Sequence, residues 1–183
     1  MNQGRTGVHT TGVVNSTGGK MKKLIAVSGS NAGDSNLTRR ICKLAEEVGR
    51  FIAERDGILL CGGLGGIMEA AAKGAKQAKG ITVGILPGNK EKANPYIDIP
   101  IATGLGYFRN YILVAAADAL IAICGRWGTM NELSMAMALG KKTIVLADSG
   151  GISREFSQGA IRGLQQRPLV ATTPEEAVSL VFY

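Results

Sequence analysis

Short apolar runs alternate with longer amphipathic stretches through most of this chain. Residues 23–28 (Lys-Leu-Ile-Ala-Val-Ser), 58–61, 81–86, 119–124, 143–147 and 169–171 are brief and rich in Ile, Leu and Val, which predicts strands buried on both faces. Between them, Leu37, Ile41, Leu44, Val48 and Ile52 recur at helical spacing, with Ser35 or Asn36 as the expected cap and an end near Arg55. Further helices are predicted over 67–78, about 107–117, 129–139, 153–166 (weakened by Gly159 and Gly163) and from Pro174 onward, with Thr173 as cap. Residues 87–100 read as irregular and polar, and 101–103 as a short strand. Strands alternating with helices predict an α/β fold: one Rossmann-like domain with a mostly parallel sheet and helices on both faces.

Such sheets bind ligands outside the carboxyl ends of their strands. Four glycine turns fall at that edge: 29–33, 62–66, 87–88 and 125–128. A single glycine turn means little, because turns need glycine anyway. Four at one edge favour a phosphate-bearing ligand. The stretch Asp118 to Gly140 concentrates the pattern as strand, glycine turn and helix, and a helix that starts directly after a strand aims free N–H groups and its positive dipole end at the edge. None of the four turns is G-x-G-x-x-G or a Walker A loop, so neither NAD nor ATP is indicated.

Composition narrows the chemistry. The chain has 183 residues and 45% hydrophobic content, and no apolar run approaches the length of a membrane span. Residues 1–20 are aperiodic, rich in Gly, Thr and Ser, and read as a leader or disordered tail, with residues 21–183 as the folded domain. Without Arg5 and Lys20, 19 basic residues face 14 acidic ones, a balance of +5 from Met21 onward. Those charges are scattered and aromatics make up only 5%, which favours small anionic ligands over nucleic acid. Cys42, Cys61 and Cys124 have no CxxC spacing, which fits a reducing, cytoplasmic setting. The single histidine, His9, lies in the leader, which removes histidine-based nucleophilic catalysis, and no metal site is expected.

Cys124-Gly125-Arg126-Trp127-Gly128-Thr129-Met130-Asn131-Glu132, Arg109 upstream of it, and Gly62 to Met68 together resemble the LOG superfamily, over about residues 21–180. Its enzyme pattern is an arginine followed by Pro-Gly-Gly-x-Gly-Thr-x-x-Glu. The superfamily includes cytokinin-nucleotide phosphoribohydrolases and molybdenum-cofactor carriers. Arg109-Asn110, Ala93-Asn94-Pro95-Tyr96 and Gly104-Leu105-Gly106-Tyr107 look like the carrier branch. Two departures stand out: Arg126 where glycine is usual, and Cys124 where the enzymes have proline.

The resemblance implies a ligand site formed by Gly29, Ser30, Gly62, Gly63, Gly65, Gly66, Met68, Arg109, Asn110, Gly125, Arg126, Gly128, Thr129 and Glu132. It implies a small phosphorylated nucleotide or pterin as ligand, molybdenum cofactor as the sharpest candidate cargo, and a homo-oligomer of at least two copies. A phosphoribohydrolase, with Glu132 and Arg109 as catalytic residues, is the alternative, and a structural or sensing oligomer with a degenerate site is a third reading. Two readings of Glu132 stand beside each other: a site carboxylate, or the end of a Thr129-x-x-Glu132 capping box. Arg109 is either a phosphate ligand or a surface charge. Arg126 either clamps a phosphate or plugs the pocket. Trp127 either stacks on a ring or packs on a second subunit.

Overall fold

The computed structural model describes residues 21–163 and 166–183. The segment 1–20, read above as a leader, and residues 164–165 lie outside the described residues. Among the described residues, seven strands form one parallel sheet: β1 (Leu24–Gly29), β2 (Ile58–Cys61), β3 (Thr82–Leu86), β4 (Ile99–Ala102), β5 (Ala119–Ile123), β6 (Lys142–Leu146) and β7 (Leu169–Ala171). Their order is β4-β3-β2-β1-β5-β6-β7, so the winding reverses between β1 and β5, where Gly29 pairs with Ile123. An open α/β sheet makes its ligand crevice at such a reversal.

Six α-helices among the described residues cover the sheet: α1 (Arg39–Glu54), α2 (Ile67–Gln77), α3 (Arg109–Ala116), α4 (Trp127–Ala138), α5 (Gly151–Ser157) and α6 (Pro174–Phe182). Alternate strand residues feed two cores. Ile25, Val27, Leu59 and Ile121 pack with Ile41 and Val48 of α1, Ala71 of α2 and Val178 of α6. Ala26, Leu60, Leu120 and Val145 pack with Leu113 of α3, Leu133 of α4 and Phe156 of α5. The continuous apolar runs of the sequence are this two-sided burial, and the predicted fold class holds. No helix among the described residues is long and apolar enough to cross a membrane.

Several boundaries move, each for a local reason. The cap of α1 is Thr38, whose hydroxyl accepts from the Ile41 N–H (3.3 Å), rather than Ser35 or Asn36. Those two are engaged in the preceding loop, where Asp34 accepts from the Asn36 N–H and Arg126 donates to the Ser35 hydroxyl. Helix α4 begins at Trp127, two residues before Thr129, because Arg126 (φ −132°, ψ −144°) is the last residue with non-helical backbone. Helix α5 ends at Ser157, well short of 166, and Gly159 follows it in a left-handed conformation (φ 67°). The strand expected at 101–103 runs over Ile99–Ala102 and closes one edge of the sheet.

Candidate functional site

At the β1/β5 reversal three glycine turns converge. The β1–α1 loop is pinned on both sides: the Ser30 carbonyl oxygen accepts from the Ile67 N–H, and the Ser30 hydroxyl accepts from the Gly125 N–H, both at 2.9 Å. Gly66 must be glycine on two counts, since its φ is 71° and an added Cβ would lie 2.3 Å from the Ser30 carbonyl oxygen. The turn after β5 takes two consecutive left-handed residues, Cys124 (φ 57°) and Gly125 (φ 90°). Cys124 is held in that unusual conformation because the Ser149 hydroxyl accepts from its N–H and Ser153 donates to its carbonyl oxygen. The turn at 87–88 lies two strands out from β1 and accepts from the Gly106 N–H instead.

The turn delivers α4 with its start bare. No side chain caps the helix, and its first ladder bond runs from the Met130 N–H to the Arg126 carbonyl oxygen. The amides of Trp127, Gly128 and Thr129 therefore precede the hydrogen-bonded ladder. A Cβ on Gly128 would meet nothing within 4 Å, so the space in front of it is open. Thr129 itself is buried beneath Gly125, where a Cβ would fall 2.3 Å from its Oγ1.

Behind these amides sits a buried ion pair. Arg109 Nη1 donates to Glu132 Oε1 at 3.0 Å, with the two side chains 11% and 7% exposed. Ser28 Oγ donates to the other carboxylate oxygen. Glu132 thus ties α4 to α3 and β1 and does not reach back to the helix start, so the capping-box geometry is not formed. At Thr173, by contrast, the cap is made: its hydroxyl accepts from the Glu176 N–H while Glu176 accepts from the Thr172 N–H. Burial pushes Glu132 above the usual carboxylate range, and the Arg109 charge and the Ser28 and Arg109 hydrogen bonds only partly offset it. Burial likewise pushes the neighbouring Cys61 thiol up to about 12, so it is an inert core group.

Two buried side-chain atoms among the described residues lack a partner: Arg109 Nε and Asn110 Oδ1. They are consecutive residues at the start of α3, beside the open end of α4. Buried polar atoms are nearly always satisfied, so two open ones on consecutive residues call for an explanation.

Arg126 is engaged by the β1–α1 loop. Its Nε and Nη2 lie 3.0 and 2.9 Å from Asp34 Oδ1, and Nη2 also donates to Ser35 Oγ. Burial acts to raise the Asp34 carboxyl, but hydrogen bonds from Asn36 and Ser30 and the Arg126 guanidinium outweigh it and hold the group below its usual range. The guanidinium thereby straps the β1–α1 loop to the α4 turn.

The structure gathers Ser30, Gly62, Gly65, Gly66, Arg109, Asn110, Gly125, Gly128, Thr129 and Glu132 around one edge. Gly29 is wedged against the Ile123 carbonyl oxygen, Gly63 packs on Leu86, and Met68 is buried beneath Gly62, so these three shape the wall from behind. Sequence spacing alone assigns neither Asp34 nor Asn94 to this edge. Asn94 is buried, and its amide donates to the carbonyl oxygens of Gly63 and Leu64, which fixes the 62–66 turn. Its place in a polar, irregular segment hid that role.

The model of the SLOG cluster4 family matches residues 22–178. An uncharacterized protein of Archaeoglobus fulgidus is 40% identical over 157 residues, covering 86% of this chain and 94% of that one. A cytokinin riboside 5'-monophosphate phosphoribohydrolase of Mycobacterium tuberculosis is 36% identical over 121 residues, covering 61% of this chain and 64% of the relative. Among solved structures, the molybdenum cofactor binding protein of Rippkaea orientalis superposes with a TM-score of 0.77 at 35% identity, covering 88% of this chain and 96% of that one. The molybdenum cofactor carrier protein of Chlamydomonas reinhardtii gives 0.74 at 32% identity, covering 88% and 97%.

Proposed function

The chain belongs to the SLOG cluster4 family, and from that premise we propose that it binds and carries a phosphorylated, nucleotide-like small molecule, with molybdenum cofactor as the candidate cargo. The observation that carries this reading is the juxtaposition of free α4 amides with the unsatisfied Arg109 Nε and Asn110 Oδ1. A phosphate at the helix start accepts from the amides of Trp127, Gly128 and Thr129 and gains from the helix dipole. Arg109 supplies the cation, and Glu132 holds its guanidinium at the right depth by accepting from Nη1. Arg126 keeps the β1–α1 loop closed around the ligand from its seat on Asp34. The two molybdenum cofactor proteins with this fold support a pterin-bearing ligand. The reading includes a cytoplasmic setting and at least two copies per assembly, on the strength of the LOG-type resemblance.

A hydrolase reading has one observation in its favour: Glu132, raised above the usual carboxylate range, stands beside Arg109 and Ser28 at this same edge. In that case Arg109 orients the 5'-phosphate sugar, and the Glu132 carboxylate stabilises an oxocarbenium-like centre or activates water. Glu132 would then bear the acid–base work alone, since the domain has no histidine. Incubation with AMP separates the two. The carrier reading expects binding by calorimetry with little or no free adenine by chromatography. Robust adenine release that disappears in Glu132→Gln, where a loss on the order of 10²–10⁴ is typical of a removed acid–base group, would overturn it and establish the hydrolase.

A further inference from the structure

A second recess, of ≈480 Å³, opens at the same sheet edge on the β6 side of β5, between the start of α1 and the turn that joins β6 to α5. Arg40 lines it from α1, and Arg154 and Gln158 from α5 and its end. Arg40 Nη2 donates to the Asp148 backbone carbonyl oxygen at 2.6 Å, which ties α1 to the turn but leaves the guanidinium charge unmatched. Among the described residues neither Arg40 nor Arg154 is ion-paired. Two guanidiniums against the one carboxylate of Asp148 leave the recess net positive. The start of α1 is capped by Thr38, so the arginines, and not a bare helix end, supply the attraction for an anion. The turn below is bolted to the first anion site. Ser149 Oγ accepts from the Cys124 N–H (2.8 Å), Ser153 Oγ donates to the Cys124 carbonyl oxygen (2.9 Å), and the Ile152 N–H donates to the Gly125 carbonyl oxygen (2.9 Å). Both serines are fully buried. A Cβ on Gly151 would lie 2.4 Å from the Gly125 carbonyl oxygen, so the two turns touch with no room to slip.

We propose that this recess is an effector site for a small phosphate-class anion, held between Arg40 and Arg154, whose binding steadies the Cys124–Gly125 turn and so tightens the ligand at the start of α4. A guanidinium fork matches phosphate oxygens in pairs, and two forks facing one recess suit a dianion. A neutral occupant leaves both cations unmatched, and a cationic one is repelled. Asp148 lowers the net charge without cancelling it. The volume lies within the range of small-ligand sites. An anion bridging Arg40 and Arg154 draws α1 and α5 together. Arg40 stands just past the β1–α1 loop, and α5 carries Ser153, so the bridge acts on both segments that border the first site. The effector role rests on the ligand reading above, whereas the second site does not.

Inorganic phosphate is the probe. Calorimetry on protein saturated with AMP keeps the α4 start occupied, so phosphate that still binds occupies another site, and one such phosphate per chain is expected. Arg154→Gln and, separately, Arg40→Gln should each weaken it on the order of tenfold or more, while Arg154→Lys keeps part of the affinity. Arg154 is exposed, so Arg154→Gln should fold and should bind AMP as wild type does in phosphate-free buffer. Phosphate also competes with AMP at the α4 start, equally in both proteins. The effector role therefore predicts that at saturating phosphate wild type holds AMP about fivefold or more tighter than Arg154→Gln does. No phosphate binding beside AMP, binding that Arg154→Gln leaves intact, or equal AMP affinities in the two proteins at saturating phosphate would each overturn the proposal. If AMP itself fails to bind, the ligand reading and the effector role fall together. Phosphate titrated into the AMP-free protein then still decides the second site, by its loss or survival in Arg154→Gln.

Discussion

Adding one methyl group at position 62 tests the site without touching a charged residue. A Cβ on Gly62 would lie 2.5 Å from Arg109 Nη2, 2.8 Å from its Cζ and 2.8 Å from Met68 Sδ. Ordinary contact needs about 3.5–4.0 Å, so the guanidinium must retreat by about 1 Å. The atoms in the way are ends of flexible side chains, and Gly62 is not in the left-handed region, so Gly62→Ala can fold. A 1 Å retreat breaks the 3.0 Å bond from Arg109 to Glu132 and withdraws the cation from the helix start. A hydrogen bond involving charged groups contributes about 1.5–3 kcal/mol. The expected loss is therefore about 10- to 150-fold in AMP affinity by calorimetry. At about 2–4 °C per kcal/mol for a domain of this size, the melting temperature should fall by about 3–12 °C. An AMP affinity within threefold of wild type, in a variant with the lowered melting temperature, would show that Arg109 serves only the fold. An unchanged melting temperature would show that the Arg109–Glu132 pair is not what position 62 protects.

Two further perturbations address the other charged groups. Arg126→Gly should cost less than about 1 kcal/mol of stability, because its side chain is 58% exposed. It should nonetheless weaken AMP binding several-fold by releasing the β1–α1 loop, and tighter binding would restore the reading of Arg126 as a plug. Glu132, raised by burial, makes the folded state hold its proton at pH values where the unfolded chain has lost it. Stability therefore falls as pH rises through the window between the ordinary carboxylate value and the raised folded one. Glu132→Gln should flatten that slope in melting curves from pH 4 to 8, and parallel curves for the two proteins would refute the burial argument.

Periodicity was enough to read the fold, because every strand but the edge strands is buried on both faces and every long helix has one apolar face. The glycine turns were equally legible, since a turn at a parallel strand's end must be short and must leave room for a ligand. The pairing of side chains across the site was not. Thr129-x-x-Glu132 has the same spacing as Thr173-x-x-Glu176, yet only the second forms a cap. The difference lies in Ser28 and Arg109, which come from β1 and α3 and compete for the Glu132 carboxylate. Likewise no local pattern connects Arg126 to Asp34, 92 residues earlier. Both contacts exist because the winding reversal sets β5 beside β1, a fact of topology that spacing along the chain does not record.

A crystal structure of the protein with AMP bound measures the proposal most directly. The phosphate should lie at the Gly128–Thr129 helix start, within hydrogen-bond distance of its free amides and near Gly65 and Arg109. A phosphate bound only elsewhere, with this edge closed by the protein's own side chains, would contradict it.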